Sequence, residues 1–163
     1  MISSFAPVVP AAPRVLVLGS MPGVRSLKDR QYYAHPQNQF WRLMAAVLGR
    51  GSVPTVYAAR LSMLGDAGVA LWDVLAECER EGSLDSAIRD ERANDVRALV
   101  TCSPGIRAVA LNGRKAESSF AKHIGPVPGV TVLGLPSSSA ANAHLSFDAK
   151  AARWRQALSP WLD

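Results

Sequence analysis

The sequence predicts an α/β fold: one three-layer domain around a short, mainly parallel central sheet. Three short apolar, β-branched runs, "RVLVLG" (14–19), "IRAVALNG" (106–113) and "GVTVLGLP" (129–136), each close on a glycine or a turn. Helix-periodic segments lie between them, and strand–turn–helix units repeated along one chain favour parallel pairing. A chain of 163 residues, 48% hydrophobic and 19% charged, has the size and composition of one domain with a core. Residues 1–13, "MISSFAPVVPAAP", have neither a basic start nor an uninterrupted apolar stretch. They read as a flexible lead-in rather than a signal peptide, which leaves 14–163 as the domain.

The elements follow in order. "RVLVLG" is a buried strand, and Pro22-Gly23 turns the chain after it. "NQFWRLMAAVLGR" (38–50) places Phe40, Trp41, Met44, Val47 and Leu48 at helical spacing, with Asn38 as an N-cap and Gly49 as a stop. "TVYAARLSMLGDAG" (55–68) is a second helix begun near Pro54. "VALWDVL" (69–75) reads equally as a strand or as a loop entering a helix. A helix over about 94–102 stops at Pro104-Gly105, and the strand "IRAVALNG" leads into the helix "RKAESSFAKHI". The third strand, 130–134, runs into a Pro/Ser loop. The closing helix "SFDAKAARWRQALSPWL" offers Ala152, Trp154 and Leu158 to the core. Phe40, Trp41, Trp72 and Trp154 read as core residues, by their spacing and apolar neighbours.

In open parallel sheets ligands sit beyond the carboxyl ends of the strands. That rule brings together two loops, "GSMPG…YYAHPQN" and "LPSSSAANA". Phosphate-binding and dinucleotide glycine motifs, H-E-x-x-H and G-x-S-x-G are all absent. His35, His123 and His144 have no metal-ligand spacing, and the only carboxylate in the two loops is Asp29. What remains is aromatic faces, Asn, Ser, His and backbone amides, which suit a flat heteroaromatic ring stacked on Tyr. Read this way, Tyr32 and Tyr33 are as much candidates for core as for pocket.

The net charge of +5 is unevenly spread: +6 over 1–60, −6 over 61–96 and +5 over 97–163. Two basic segments around an acidic middle suit one positive face for a phosphate backbone, with the acidic block 77–95 as the solvated back. No twenty-residue apolar run is present to cross a membrane. Cys78 and Cys102 have no CxxC or metal-like spacing and read as free thiols of a cytoplasmic protein.

Four ordered blocks, "GSMPGVRSLKDRQYYAHPQNQFW", "ALWDVLAECEREGSLDSAI", "LNGRKA" and "LPSSSAANA", resemble the hypoxanthine-DNA glycosylase branch of the uracil-DNA glycosylase superfamily. The resemblance spans about residues 14–160, and "HPxNxFW" is also similar to a block of the mismatch-specific uracil and thymine glycosylases. It implies a single metal-free and cofactor-free α/β domain that hydrolyses the N-glycosidic bond of hypoxanthine, or of uracil, in DNA. The implied partner is double-stranded DNA carrying a deaminated base, with single-stranded DNA left open, and a monomer is expected. Neither site loop places a catalytic lysine, Lys28 being near in sequence but unassigned, which argues against a lyase step.

The same resemblance distributes roles. In the first superfamily motif, Gly-x-(Asp or Asn)-Pro, the water-positioning place is taken here by Met21, and a thioether neither orients water well nor accepts its proton. The resemblance passes that task to Asn38 of "HPxN", which competes with its reading as a cap. Tyr33 matches the residue that stacks on the flipped base. Gly19, Ser20 and Met21 border the base, and the backbone donors of their turn are available to it. His35 is a candidate contact to base or phosphate, or a fixture of its own loop. Asn112 reads as a base-edge contact or as the start of an Asn-Gly turn. Ser137, Ser138 and Ser139 are phosphate donors or turn pins, and Asn142 joins the same DNA-contacting loop. His144 or Leu145 enters the emptied stack, and Arg25 and Lys28 contact phosphate. A proline is more usual at Ala140. A mismatch-specific glycosylase, a non-catalytic nucleic-acid binder and an enzyme of free nucleosides are the competing readings.

Overall fold

The computed structural model describes residues 1–162. After a two-residue strand β1 (Ile2–Ser3), the chain enters β2 (Val15–Gly19), then α1 (Val24–Asp29), α2 (Phe40–Val47) and α3 (Tyr57–Asp66). It continues through β3 (Val69–Asp73), β4 (Leu75–Glu79), a 3₁₀ turn at Asp85–Ala87, β5 (Arg89–Ala93) and α4 (Val96–Cys102). The last elements are β6 (Ala108–Asn112), α5 (Arg114–His123), β7 (Thr131–Leu135) and α6 (Phe147–Leu158).

β3, β2, β6 and β7 pair in that order, every pair parallel. Alternation along β2 explains the three layers, since successive side chains of a strand point to opposite faces. Val15 and Val17 join the core with Phe40, Leu43, Met44, Leu64 and Trp154 of α2, α3 and α6. Leu16 and Leu18 join the other core with Val96, Val100, Ala116 and Phe120 of α4 and α5. A strand covered on both faces reads as a continuous apolar run, which is why "VLVL" carries no polar residue.

Two sequence expectations change, one open alternative is resolved and a second sheet is added. "VALWDVL" is neither loop nor helix: it is β3, interrupted at Val74 and resumed as β4. β4 belongs to a second, antiparallel sheet, β1-β4-β5, for which no alternation in the sequence gave warning. The lead-in is built into the fold: β1 pairs with β4, Val8 bridges Leu71, and the Trp72 indole donates to the Phe5 carbonyl at 2.9 Å. Ala152 is exposed, and Ala151 is the buried alanine of α6 beside Trp154 and Leu158.

Candidate active site

The chain leaves β2 for β3 on one side and reaches β6 on the other, so the topological switch lies between the ends of β2 and β6. A crevice must open there. It is a groove of about 1190 Å³ bordered by both predicted loops, from Gly19 and Met21 on one side to Ser139 and Leu145 on the other.

The adjacent tyrosines part company. Tyr32 is core: its hydroxyl donates to the Ala6 carbonyl at 2.9 Å, and its own carbonyl accepts from the Trp41 indole at 3.2 Å. Tyr33 turns into the groove through a left-handed backbone, φ 53°, uncommon for a residue with a bulky side chain. Its ring lies flat on Phe40, with centroids 3.9 Å apart and planes 14° apart. Phe40 is fully buried, so it serves as the backing of a platform while remaining core. Burial and nearby Asp73 push the Tyr33 hydroxyl's pKa up, against the bond it accepts from Asn112.

Asn38 borders the groove and stands one residue before Gln39, the cap position of α2, yet still takes up one free N–H of the helix start. Its Oδ1 accepts from the Phe40 N–H at 3.0 Å, which keeps part of the amide's capacity for water. His35 is exposed on the rim, and its Nδ1 accepts from the Gln37 N–H at 3.1 Å, the contact of a loop-fixing histidine. Met21 is 6% exposed and packs chiefly into the core beside Leu18 and Val74.

The second loop is tied down more than the sequence suggests. Ser138 is 1% exposed: its Oγ accepts from Asn112 Nδ2 at 2.9 Å, and its N–H donates to Asn112 Oδ1 at 2.9 Å. Asn112 Nδ2 also donates to the Tyr33 hydroxyl at 3.2 Å. Both residues therefore pin the second loop to the Tyr33 side of the groove that they line. Ser137 Oγ and Ser139 Oγ accept from backbone N–H groups two residues on, and Asn142 Nδ2 donates to the Ser137 carbonyl. Gly113, at φ 96°, lets the loop dock, because a Cβ there would stand 3.0 Å from Ser137 Cβ. His144 is exposed at the rim and Leu145 half-buried beside it.

A buried lysine completes the clamp. Lys150 is 1% exposed, and its Nζ donates to Gln39 Oε1 at 2.8 Å and to the Asn142 carbonyl at 3.1 Å. It joins the two loops across α6, and burial lowers its pKa. The basic rim differs from expectation as well. Arg25 lines the groove but pairs with Asp29 at 2.7 Å, and Lys28 is exposed outside it. Arg114 and Arg153 stand on the rim instead.

The acidic middle of the chain is not all back face. The "GSLDS" turn folds over "GSMPG": Ser83 Oγ accepts from the Val24 N–H at 2.9 Å, and Ser20 Oγ donates to Asp85 Oδ1 at 2.6 Å. Arg80 reinforces the junction, donating to the Pro22 carbonyl at 2.7 Å. Asp73, at the end of β3 and in register with Gly19, forms the adjoining wall. A Cβ on Gly19 would stand 2.7 Å from Asp73 Oδ1 and 2.9 Å from the Tyr33 hydroxyl, so only glycine permits both approaches. Asp73 is 4% exposed; burial, then the charge of Asp85, pushes its pKa up to about 7 against the pull of Arg80. Sequence reasoning missed Asp73 and Asp85. The available signal was the strand-end rule, had "VALWD" been read as a strand.

Both loops thus meet at the switch point of a parallel α/β sheet, around a Tyr33–Phe40 stack that opens onto the groove. Residues 6–158 match the model of the uracil DNA glycosylase superfamily, and the chain belongs to that family. Within it the chain sits with the hypoxanthine-DNA glycosylase branch. A hypoxanthine DNA glycosylase of Methanosarcina barkeri is 36% identical over 153 residues, 94% of this chain and 95% of the relative. One of Methanosarcina acetivorans is 39% identical over 132 residues, 81% and 82% of the respective chains. The solution NMR structure of a candidate uracil DNA glycosylase from Methanosarcina acetivorans superposes with a TM-score of 0.78 at 35% identity, covering 94% of this chain and 96% of that one.

Proposed function

We propose that this protein excises deaminated bases from duplex DNA, hypoxanthine foremost, by hydrolysing the N-glycosidic bond, and so initiates base excision repair. The observation that carries the reading is Tyr33, stacked on Phe40 and turned into a groove that Asn38 also borders. The names of the two Methanosarcina relatives support hypoxanthine as the first substrate to test, with uracil next.

A base inside the duplex is out of reach, so the nucleotide must flip out, at a cost of a few kcal/mol that is least at a mismatch. Stacking on Tyr33 returns roughly 1–3 kcal/mol of that, and Phe40 spares the ring the cost of ordering on binding. As the bond to C1′ lengthens, the sugar gains oxocarbenium character. Asn38 has no basicity to offer; it orients a water toward C1′, a proximity contribution. The reaction stops at hydrolysis: Lys150 Nζ is committed to two acceptors, and Lys115 at the rim is paired with Glu91. The protein acts as a cytoplasmic monomer in this reading.

The test is excision from labelled duplexes carrying one deoxyinosine, deoxyuridine, deoxyxanthosine or mismatched thymidine, scored as alkali-sensitive sites. Deoxyinosine is expected to be cut fastest. An intact strand with all four substrates overturns the reading, and preference for mismatched thymidine moves it to the mismatch-specific relatives. Asn38→Ala should slow excision roughly a hundredfold or more with duplex binding retained.

A further inference from the structure

We infer that Asp73 is the acid of this site: its carboxyl hydrogen-bonds the flipped base through Oδ1 and passes that base a proton as the glycosidic bond breaks. The inference rests on the glycosylase reading above and adds a catalytic residue to it.

Geometry comes first. Asp73 ends β3 directly beside Gly19, and its Oδ1 shares the space above that glycine with the Tyr33 hydroxyl. Both atoms border the groove, so a ring that lies on Tyr33 and reaches past its hydroxyl meets this carboxyl. Oδ2, by contrast, is sealed from solvent and has no hydrogen-bond partner. An ionised carboxylate with one oxygen buried and unpaired is far more costly than a neutral acid. The proton belongs on Oδ1, the oxygen on the side of the Tyr33 platform.

The charged and titratable groups around the carboxyl come from three other elements. Asp85, held by Ser20 from the 3₁₀ turn, opposes ionisation, while Arg80 beyond β4 favours it. Tyr32 and Tyr33, on the loop before α2, keep their protons. Asn94 donates to the Asp73 backbone carbonyl at 2.8 Å and leaves the carboxyl alone. Arg80 gives Nε and Nη2 to the Gly82 and Pro22 carbonyls, and its buried Nη1 bonds no acceptor, so no bonded cation neutralises Asp73. Burial then holds the carboxyl neutral into the physiological range, with its pKa at about 7.

The chemistry needs that neutral form. As the C1′–N bond breaks, its electron pair stays on the base, and a carboxylate at the base edge would oppose the charge. A carboxylic acid donates its proton to a ring nitrogen or carbonyl oxygen, and the base departs neutral. Asp73 is left ionised. The water beside Asn38 adds to C1′ and releases one proton to solvent, and Asp73 takes one back. One water is consumed and the proton count closes.

Single-turnover excision of deoxyinosine from a duplex, followed from pH 5.5 to 9, tests this. The wild-type rate should be level below pH 7 and fall about tenfold per unit above it, as the acid form is lost. Asp73→Asn should be roughly a hundredfold slower at pH 6 and lack the falling limb. Asp85→Asn, which removes the opposing charge while keeping an acceptor for Ser20, should move the limb to lower pH. It decides the matter even where Asp73→Asn fails to fold. A wild-type rate level to pH 9, a limb unmoved in Asp85→Asn, or an Asp73→Asn protein with wild-type rate and profile overturns the role of Asp73 alone. No excision by the wild-type protein at any pH overturns the glycosylase reading beneath it.

Discussion

The two sides of the groove are built on opposite principles. On the β6 side, Asn112, Ser138 and Tyr33 satisfy one another, and the loop beyond them is pinned by its own serines and by Lys150. On the β3 side, Asp73 Oδ2 and Arg80 Nη1 are, among the described residues, the two buried side-chain polar atoms without partners. A satisfied network holds geometry; it has no spare capacity for a substrate. An unpaired buried group raises the energy of one protonation state, and that is how a side chain becomes reactive at neutral pH. Position is assigned to one wall and proton chemistry to the other.

The strongest attack on this comparison is at the point where the walls meet. Gly19→Ala would press its methyl against Asp73 Oδ1 and the Tyr33 hydroxyl, at separations of 2.7 and 2.9 Å, with a strand behind it. Excision should fall by roughly a hundredfold or more, the scale of an ångström-sized misplacement. Normal single-turnover rates would mean that the platform and the acid wall are mobile enough to make way.

Next in size is the pinned wall. Asn112→Ala orphans the Ser138 N–H and Oγ in a buried setting and frees the Tyr33 hydroxyl. At about 1–3 kcal/mol per orphaned group, denaturant unfolding should register a loss of several kcal/mol. A change below roughly 0.5 kcal/mol would place Asn112 among the substrate contacts, where its partners are exchanged and not lost.

The acid wall should respond with the opposite sign. Because the folded-state pKa of Asp73 lies above the ordinary carboxylate value, its contribution to stability is complete below pH 4 and is lost as pH rises through about 7. Asp73→Asn removes that loss. It should therefore gain on the wild type by roughly 3–4 kcal/mol between pH 4 and pH 8, read from thermal unfolding against pH. A gap that stays constant across this window would show that the wall bears no titration penalty.

The smallest effect should come from the clamp. Lys150→Met relieves the desolvation of a buried cation. The two acceptors it leaves, Gln39 Oε1 and the Asn142 carbonyl, belong to half-buried residues that water can reach, so the lost bonds are partly offset. A change within about 1.5 kcal/mol is expected, with faster amide exchange confined to 136–145. Larger losses with no local opening would make Lys150 a pillar of α6 instead.

Much of this was legible in the chain. "RVLVLG" and "IRAVALNG" announced buried parallel strands, and the strand-end rule led to the correct two loops. Within them the family resemblance, and not periodicity, singled out Tyr33 and Asn38, and both border the groove. Other assignments stayed open for a common cause. Ser138 and Asn112 read either as outward contacts or as parts of a turn; they bond each other 26 residues apart, a pairing that no local window shows. The acidic stretch read as a solvated back, yet Asp85 reaches Ser20 across 65 residues.

By itself, then, the sequence determined the layers, the parallel order of layers around "VLVL" and the loops that bound the crevice, because hydrophobic period and turn chemistry act over a few neighbouring residues. Only the tertiary structure decided that Tyr32 is buried while Tyr33 turns into the groove, that Asn112 pins Ser138, and that Asp73 holds a buried, unpaired oxygen. Burial and pKa are set by groups brought close by folding, and no window along the chain contains Gly19, Asp73 and Tyr33 together.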